Sequence, residues 1–205
     1  DVLDVVQEEA TEDMQRMVGI SGEESAFTAW PQSVRNRLPW LCVNLCTGFC
    51  IAWVVSLFEP ALEKYALLAF FLPIIGLLGG NAGNQTLTIV VRSLALGEIE
   101  DKEWRQLLIK ELFTGCINGL AIGGIAGLAS WLWIGKPVLG VVVCAALLLN
   151  MIASAVAGVM VPISLRTLKV DPALASSIMV TTATDIIGFF LFLSFATIAI
   201  NAYSL

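Results

Sequence analysis

Asp185 is the single charge between Ala173 and Leu205, and it stands about 14 residues beyond Asp171. On a helix rising about 1.5 Å per residue, that spacing sets Asp185 roughly 20 Å from the Asp171 end, deep inside a hydrocarbon slab. Insertion scales assign about 2.5–3.5 kcal/mol to an aspartate at that depth. A helix keeps such a residue where it faces a water-filled path or a bound cation. Thr181 and Thr182 lie on the same face one turn earlier and add oxygen atoms, and Gly188, one turn later, lets another backbone approach. The plainer reading is a protonated, hydrogen-bonded Asp185 that glues helices together.

A second constellation is the run Gly79-Gly80-Asn81-Ala82-Gly83-Asn84-Gln85. Asn81, Asn84 and Gln85 fall at i, i+3 and i+4, so three amides share one helical face. Gly76, Gly80 and Gly83 strip side chains from a neighbouring face, which permits tight packing. Pro73 loosens the helix ahead of the run and frees carbonyls toward a cavity. Interhelical adhesion by the amides is the plainer alternative. Gly115, Gly119, Gly123 and Gly127 recur every four residues with Asn118 beside them, and Ser154–Gly158 and Ala153–Ala157 repeat the theme ahead of Pro162. These are seams for close helix contact. Glu111 either faces a pore mouth or snorkels. Cys42, Cys46 and Cys50 share one face and read as small apolar packing residues.

The oxygen donors gathered here are carboxylate, amide, hydroxyl and carbonyl. Hard cations such as Mg2+ or Ca2+ want that set, whereas soft metals want sulfur and imidazole. One aspartate per chain cannot neutralise a divalent ion, but a two-fold dimer would bring two copies of Asp185 to a shared axis. Because Mg2+ sheds water reluctantly, these groups would grip a hydrated ion through its waters.

The elements that carry these residues follow from composition. The chain has 205 residues, 58% hydrophobic and 14% charged, against about 25% charged in ordinary soluble domains. It is an all-helical integral membrane protein with room for five or six spans, organised as one membrane domain. Histidine is absent, which removes Ser-His-Asp and Cys-His catalysis and the commonest zinc and copper ligand. An intramembrane aspartyl protease needs a carboxylate pair. One intramembrane Asp per chain could pair only across a dimer, with no second catalytic group in sight, so an enzyme is not expected. Net charge is −6, and residues 1–24 hold eight acids against one base, Arg16, so nucleic acid is a poor partner. The chain starts at Asp1 without a signal-peptide pattern and reads as a piece of a longer protein.

Residues 1–29 read as an acidic cytosolic helix and linker, broken at Ser21–Gly22, and residues 30–205 as a transmembrane domain. Its apolar stretches run about 38–58, 66–91, 107–134, 138–165 and 173–202. Arg35, Arg37, Arg92, Lys102, Arg105, Lys110, Arg166 and Lys169 fall on one side under this count, and only Lys64 and Lys136 on the other. The N-terminus is thus expected in the cytosol and the C-terminus outside. Trp30, Trp40, Trp104, Trp131 and Trp133 sit near span ends as interfacial anchors.

Pro73-Ile-Ile-Gly-Leu-Leu-Gly-Gly-Asn-Ala-Gly-Asn-Gln85, followed by Asp171-Pro-Ala-Leu-Ala-Ser176 and Thr181-Thr-Ala-Thr-Asp185, resembles the MgtE family of bacterial magnesium channels, related to the solute-carrier 41 transporters. The N-terminal Asp1-Val-Leu-Asp4 and Glu8-Glu-Ala-Thr-Glu-Asp13 resemble the family's segment between nucleotide-binding-like (CBS) sensor domains and the pore. The resemblance implies a C2 homodimer in the cell (inner) membrane, with five spans per subunit and a pore on the axis. Asp185 matches the pore aspartate for hydrated Mg2+, with Mn2+ or other divalent cations as further cargo. Asp171 matches an acid at the cytosolic mouth, and Gly188 a glycine in tight pore-helix packing. Asp1, Asp4, Glu9, Glu12 and Asp13 match acids that bind regulatory Mg2+ with the sensor domains, which are missing here, so residues 1–18 would form a gating plug. Thr181 stands where the family has an alanine backbone contact, and its hydroxyl bears on ion ranking. Partners implied are a second copy and membrane lipid. The competing reading is a proton- or Na+-coupled secondary carrier that uses Asp185 as its ion switch; it would be supported by internal repeats, and no convincing repeat is present.

Overall fold

The computed structural model describes residues 11–20, 24–99, 103–174 and 176–203. Among them are five helices long and apolar enough to cross a membrane. These are α1 (Trp30–Ser56), α2 (Leu72–Ala95), α3 (Trp104–Ile134), α4 (Pro137–Thr167) and α5 (Ser176–Tyr203). The all-helical, five-span architecture expected from the apolar stretches is present. A short helix, Glu59–Lys64, and a 3-10 turn, Ala66–Phe71, link α1 to α2.

Prolines punctuate the starts. Pro31, Pro73 and Pro137 all lie in the first turn of their helices, where the missing N–H has no intrahelical partner to lose and φ is already helical. Pro73 therefore does not loosen a helix already under way. It starts α2 at the end of the 3-10 turn, and the apolar stretch from Ala66 is two pieces of different pitch. The first helix begins at Trp30, ahead of the apolar run near Leu38, and carries Pro39 inside it.

Ahead of α1, residues 11–17 are helical. The helix ends at Gly19, whose φ of 78° suits a residue without a side chain. The N–H groups of Gly19 and Ile20 cap the carbonyls of Arg16 and Gln15, so the break comes before Ser21–Gly22. Glu24 then folds back: Gln15 Nε2 donates to the Glu24 carbonyl at 2.7 Å, and Glu24 N–H donates to Gln15 Oε1 at 3.1 Å.

α4 is the central helix, packed against α2, α3 and α5. One apolar cluster joins Phe71, Ile75, Val143, Leu147, Phe192 and Leu193. A smaller one, toward the other end, joins Leu87, Val91, Ala157, Ala173 and Val180, with Met17 against it. α1 lies outermost on α5. Leu45, Phe49 and Trp53 are exposed there, and so are Cys42, Cys46 and Cys50. These thiols face outward on the isolated subunit instead of filling an internal seam.

The four-residue glycine repeat of α3 lies on the backbone of α4. A methyl at Gly127 would sit 2.5 Å from the Gly140 carbonyl oxygen, and one at Gly123 would sit 2.8 Å from that of Cys144. Gly124, about 100° round the helix from Gly123, has nothing within 4 Å. Helices gain nothing hydrophobic by leaving lipid for each other, so this close backbone contact is what joins α3 to the body. Gly127→Ala should accordingly lower the thermal midpoint of the detergent-solubilised protein, by an overpacking cost of about 1–3 kcal/mol. Gly124→Ala should leave it unchanged or raise it slightly, as helix propensity dictates. Equal midpoints for the two variants would refute the seam.

Candidate functional site

Asp185 projects from the middle of α5 against α2. The opposing residue is Gly76, where a methyl would lie 3.1 Å from Asp185 Oδ1 and 3.1 Å from the Phe189 ring. The Oδ1 atom is buried and receives no hydrogen bond among the described residues. A carboxylate oxygen held in the hydrocarbon layer without a protein donor is costly.

One turn toward the Asp171 end, Asn84 joins α2 to α5. Ser177 Oγ donates to Asn84 Oδ1 at 2.9 Å, and Asn84 Nδ2 lies 3.4 Å from Thr181 Oγ1. Gly80 lies under the Thr181 methyl, and Gly83 under Val180 and Thr184. The Thr181 carbonyl accepts from Thr184 Oγ1 at 2.9 Å. Thr182 turns its hydroxyl back onto the Ile178 carbonyl at 2.7 Å and adds no donor beside Asp185.

The three amides of α2 do not act as one group. Asn84 is half-buried against α5, whereas Asn81 and Gln85 are exposed on the free face of α2. Gln85 also borders a second groove of about 140 Å³ between α2, α3 and α4, together with Asn118, Thr114 and Glu111. Glu111 is tied down inside the bundle. It is buried, accepts from Thr86 Oγ1 at 2.9 Å, and pairs with Lys110 at 2.6 Å.

Sequence reasoning missed Asn150. It is fully buried in α4, and its Nδ2 donates to the Ile75 carbonyl at 3.1 Å. One turn on, Ser154 Oγ lies 2.9 Å from the Gly79 carbonyl and 2.7 Å from that of Asn150. A lone amide in the apolar stretch between Pro137 and Pro162 was the available signal.

At the cytosolic end predicted from the basic residues, the N-terminal helix meets the membrane body. Arg16 bridges Glu12 of its own helix and Asp171 of the α4–α5 connection. Asp171 Oδ1 also accepts from the Ala173 N–H at 2.8 Å, an Asx turn that orients the carboxylate. Hydrogen bonding to Asp171, with Glu12 and Asp13 close by, holds the Arg16 guanidinium above its ordinary pKa. Glu12, Asp13, Arg16, Arg166 and Asp171 line one open cavity of about 410 Å³. Arg37 binds Glu24 and holds its carboxyl below the usual range, which fastens the linker to α1. Of the predicted regulatory acids, Glu12 and Asp13 reach this mouth, while Asp1, Asp4 and Glu9 lie outside the described residues. Among the described residues, no three His, Cys, Asp or Glu side chains converge on a metal-sized site. At Asp185 one subunit offers an ion a single carboxylate.

Residues 72–195 match the family model MgtE, described as a divalent cation transporter. Over 98% of its length the chain is 36% identical to the magnesium transporter MgtE of Bacillus subtilis (strain 168), covering 45% of that protein. It is 34% identical to the magnesium transporter MgtE of Thermus thermophilus, again over 98% of this chain and 45% of the relative. Against the Enterococcus faecalis magnesium transporter MgtE the identity is 30%, over 96% and 43%. The chain thus spans a little under half the length of these relatives.

The Arg16 bridge is open to a direct measurement. Arg16→Ala removes the cation between Glu12 and Asp171 and leaves two like charges facing each other. Residues 11–17 should then exchange amide hydrogens faster, while α2 and α5 keep their protection. Unchanged exchange over 11–17 would show that apolar contacts such as Met17 suffice to dock this helix.

Proposed function

Because this chain belongs to the MgtE family of divalent cation transporters, we propose that it is the membrane domain of a Mg2+ channel or transporter. It carries hydrated Mg2+ across the cell membrane into the cytosol. The observation that carries this reading is Asp185, an intramembrane carboxylate whose buried Oδ1 takes no hydrogen bond from the described residues and abuts a glycine. A hydrated divalent ion supplies what the protein withholds there. Its waters donate, and its charge offsets the carboxylate in a low-dielectric setting.

A single carboxylate leaves a divalent ion half neutralised, so the permeation site is completed by the partner's Asp185 across a two-fold axis. The free face of α2, with Leu77, Asn81, Gln85 and Thr88 exposed in a row, suits such a lining. Mid-membrane amides are poorly matched to lipid and well matched to a water-filled path. The N-terminus lies in the cytosol and the C-terminus outside. Mn2+ and other divalent ions with the same oxygen preference are secondary cargo. The proton- or Na+-coupled carrier finds no support in a match to divalent cation transporters.

In the full-length protein, the acidic N-terminal segment gates this path together with cytosolic sensor domains. At high Mg2+ the ion screens the clustered carboxylates and holds the segment down, and at low Mg2+ their repulsion releases it.

Mg2+ uptake into proteoliposomes tests the site. Asp185→Ala should lower flux by about tenfold or more, the scale of one lost charge-assisted interaction, with the oligomer intact by size-exclusion chromatography. Equal flux would make Asp185 structural and move the ion to Asn81, Asn84 and Gln85. For gating, Glu9→Gln, Glu12→Gln and Asp13→Asn together in the full-length protein should weaken inhibition by cytosolic Mg2+, and unchanged inhibition would overturn that part.

A further inference from the structure

We infer that Asn150 is the positioning residue that sets the register of the Asp185 carboxylate, and through it the ranking of ions. The inference rests on the reading of Asp185 as the permeation carboxylate. Asn150 itself touches no ion path: it is fully buried in α4. Its amide is wedged between the two helices that carry the site. Nδ2 donates to the Ile75 carbonyl at 3.1 Å, beside Gly76, the residue facing Asp185 Oδ1. The same nitrogen lies 2.5 Å from where a methyl on Gly188 would be, one turn past Asp185 on α5, and 2.3 Å from one on Gly79 of α2. Gly79 is thus a space for this amide, and Gly188 one for the amide and the Ile75 side chain.

The consequence is geometric. α2 and α5 cannot close further at the level of Asp185 without striking the Asn150 amide. Its hydrogen bond to Ile75 fixes the amide to α2, so that α5 rests through Gly188 against a group that α2 holds in place. Ion discrimination through bound waters requires the gripping oxygens to be held within about 0.5 Å. Mg2+ demands a near-ideal octahedron, whereas Ca2+ accepts a looser and larger shell. A carboxylate freed to shift should lose preference between the two before it loses conduction. Asn150 Oδ1 is also buried without a donor among the described residues. The amide is thus kept at a polar cost that packing alone does not require, since an apolar residue of similar volume would carry none.

The test is the ratio of Mg2+ to Ca2+ flux in proteoliposomes for wild type, Asp185→Ala, Asn150→Ala, Gly79→Ala and the double variant Gly79→Ala/Asn150→Ala. Asn150→Ala alters no charge, and the ratio should fall by about tenfold, as for groups that orient a ligand from behind. Gly79→Ala, whose added methyl has its three nearest atoms in the Asn150 amide, should shift the ratio in the same direction. The double variant should be no worse than Asn150→Ala alone, a non-additivity that marks a shared contact. A structural role without positioning would reduce folded protein or total flux at an unchanged ratio, and that result overturns the inference. Should Asn150→Ala fail to fold, the Gly79→Ala ratio decides by itself. Wild-type flux in Asp185→Ala would instead sink the underlying permeation reading, which separates the two failures.

Discussion

Every polar atom inside the hydrocarbon layer must be satisfied from within the protein or by water it admits, and that constraint decides which helices touch. The apolar side chains cannot, because they are as content against lipid as against each other. Close contact therefore occurs where glycine exposes backbone or where a side chain reaches a carbonyl. Asn150 to Ile75, Ser154 to Gly79, Ser177 to Asn84 and Thr86 to Glu111 tie α2 to α4, α5 and α3 in turn. α2 is the hub of these bonds because its glycines leave its carbonyls within reach.

The same constraint explains what was legible beforehand. Five apolar stretches and one deep aspartate are visible in composition alone, since hydrophobicity and its interruption are properties of single residues. Proline marks helix starts just as plainly, although Pro73 shows that a start and a loosening look alike until the preceding 3-10 turn is known. The amides at 81, 84 and 85 lie within an arc of about 100° on the helix. That arc is wide enough for Asn84 to meet α5 while Gln85 borders the groove of Glu111. Which neighbour stands at which angle is a property of the packed bundle, and the sequence of one helix does not contain it. Asn150 was legible only as a lone amide in an apolar stretch, since its importance comes from two glycines on two other helices.

The end of the bundle at Asp171 follows different physics. There water is available and no pair must form, so the bridge from Arg16 to Asp171 is a choice of position more than a strong bond. In residues 1–24, with eight acids, Arg16 is the one base. It sits where its own helix and the loop before α5 each present a carboxylate. A covalently attached cation at this spot does locally what a free cation would do at a cost in binding entropy. The N-terminal helix is thereby held near the α5 entrance by a cation of its own sequence.

α5 links the two regimes. At one end it begins just after Asp171, whose carboxylate caps the Ala173 N–H and holds Arg16. At mid-length it carries Asp185, and one turn beyond lies Gly188 on the Asn150 amide. A rigid helix transmits displacement along its axis with little loss, so any force that draws on Asp171 acts on the register of Asp185 against Gly76. The Asn150 amide, buried against Gly79 and Gly188, stands in the way of that shift. The Arg16–Asp171 bridge and the packing of Asp185 on Gly76 thus bear on one helix, joined through the α2–α4–α5 contact.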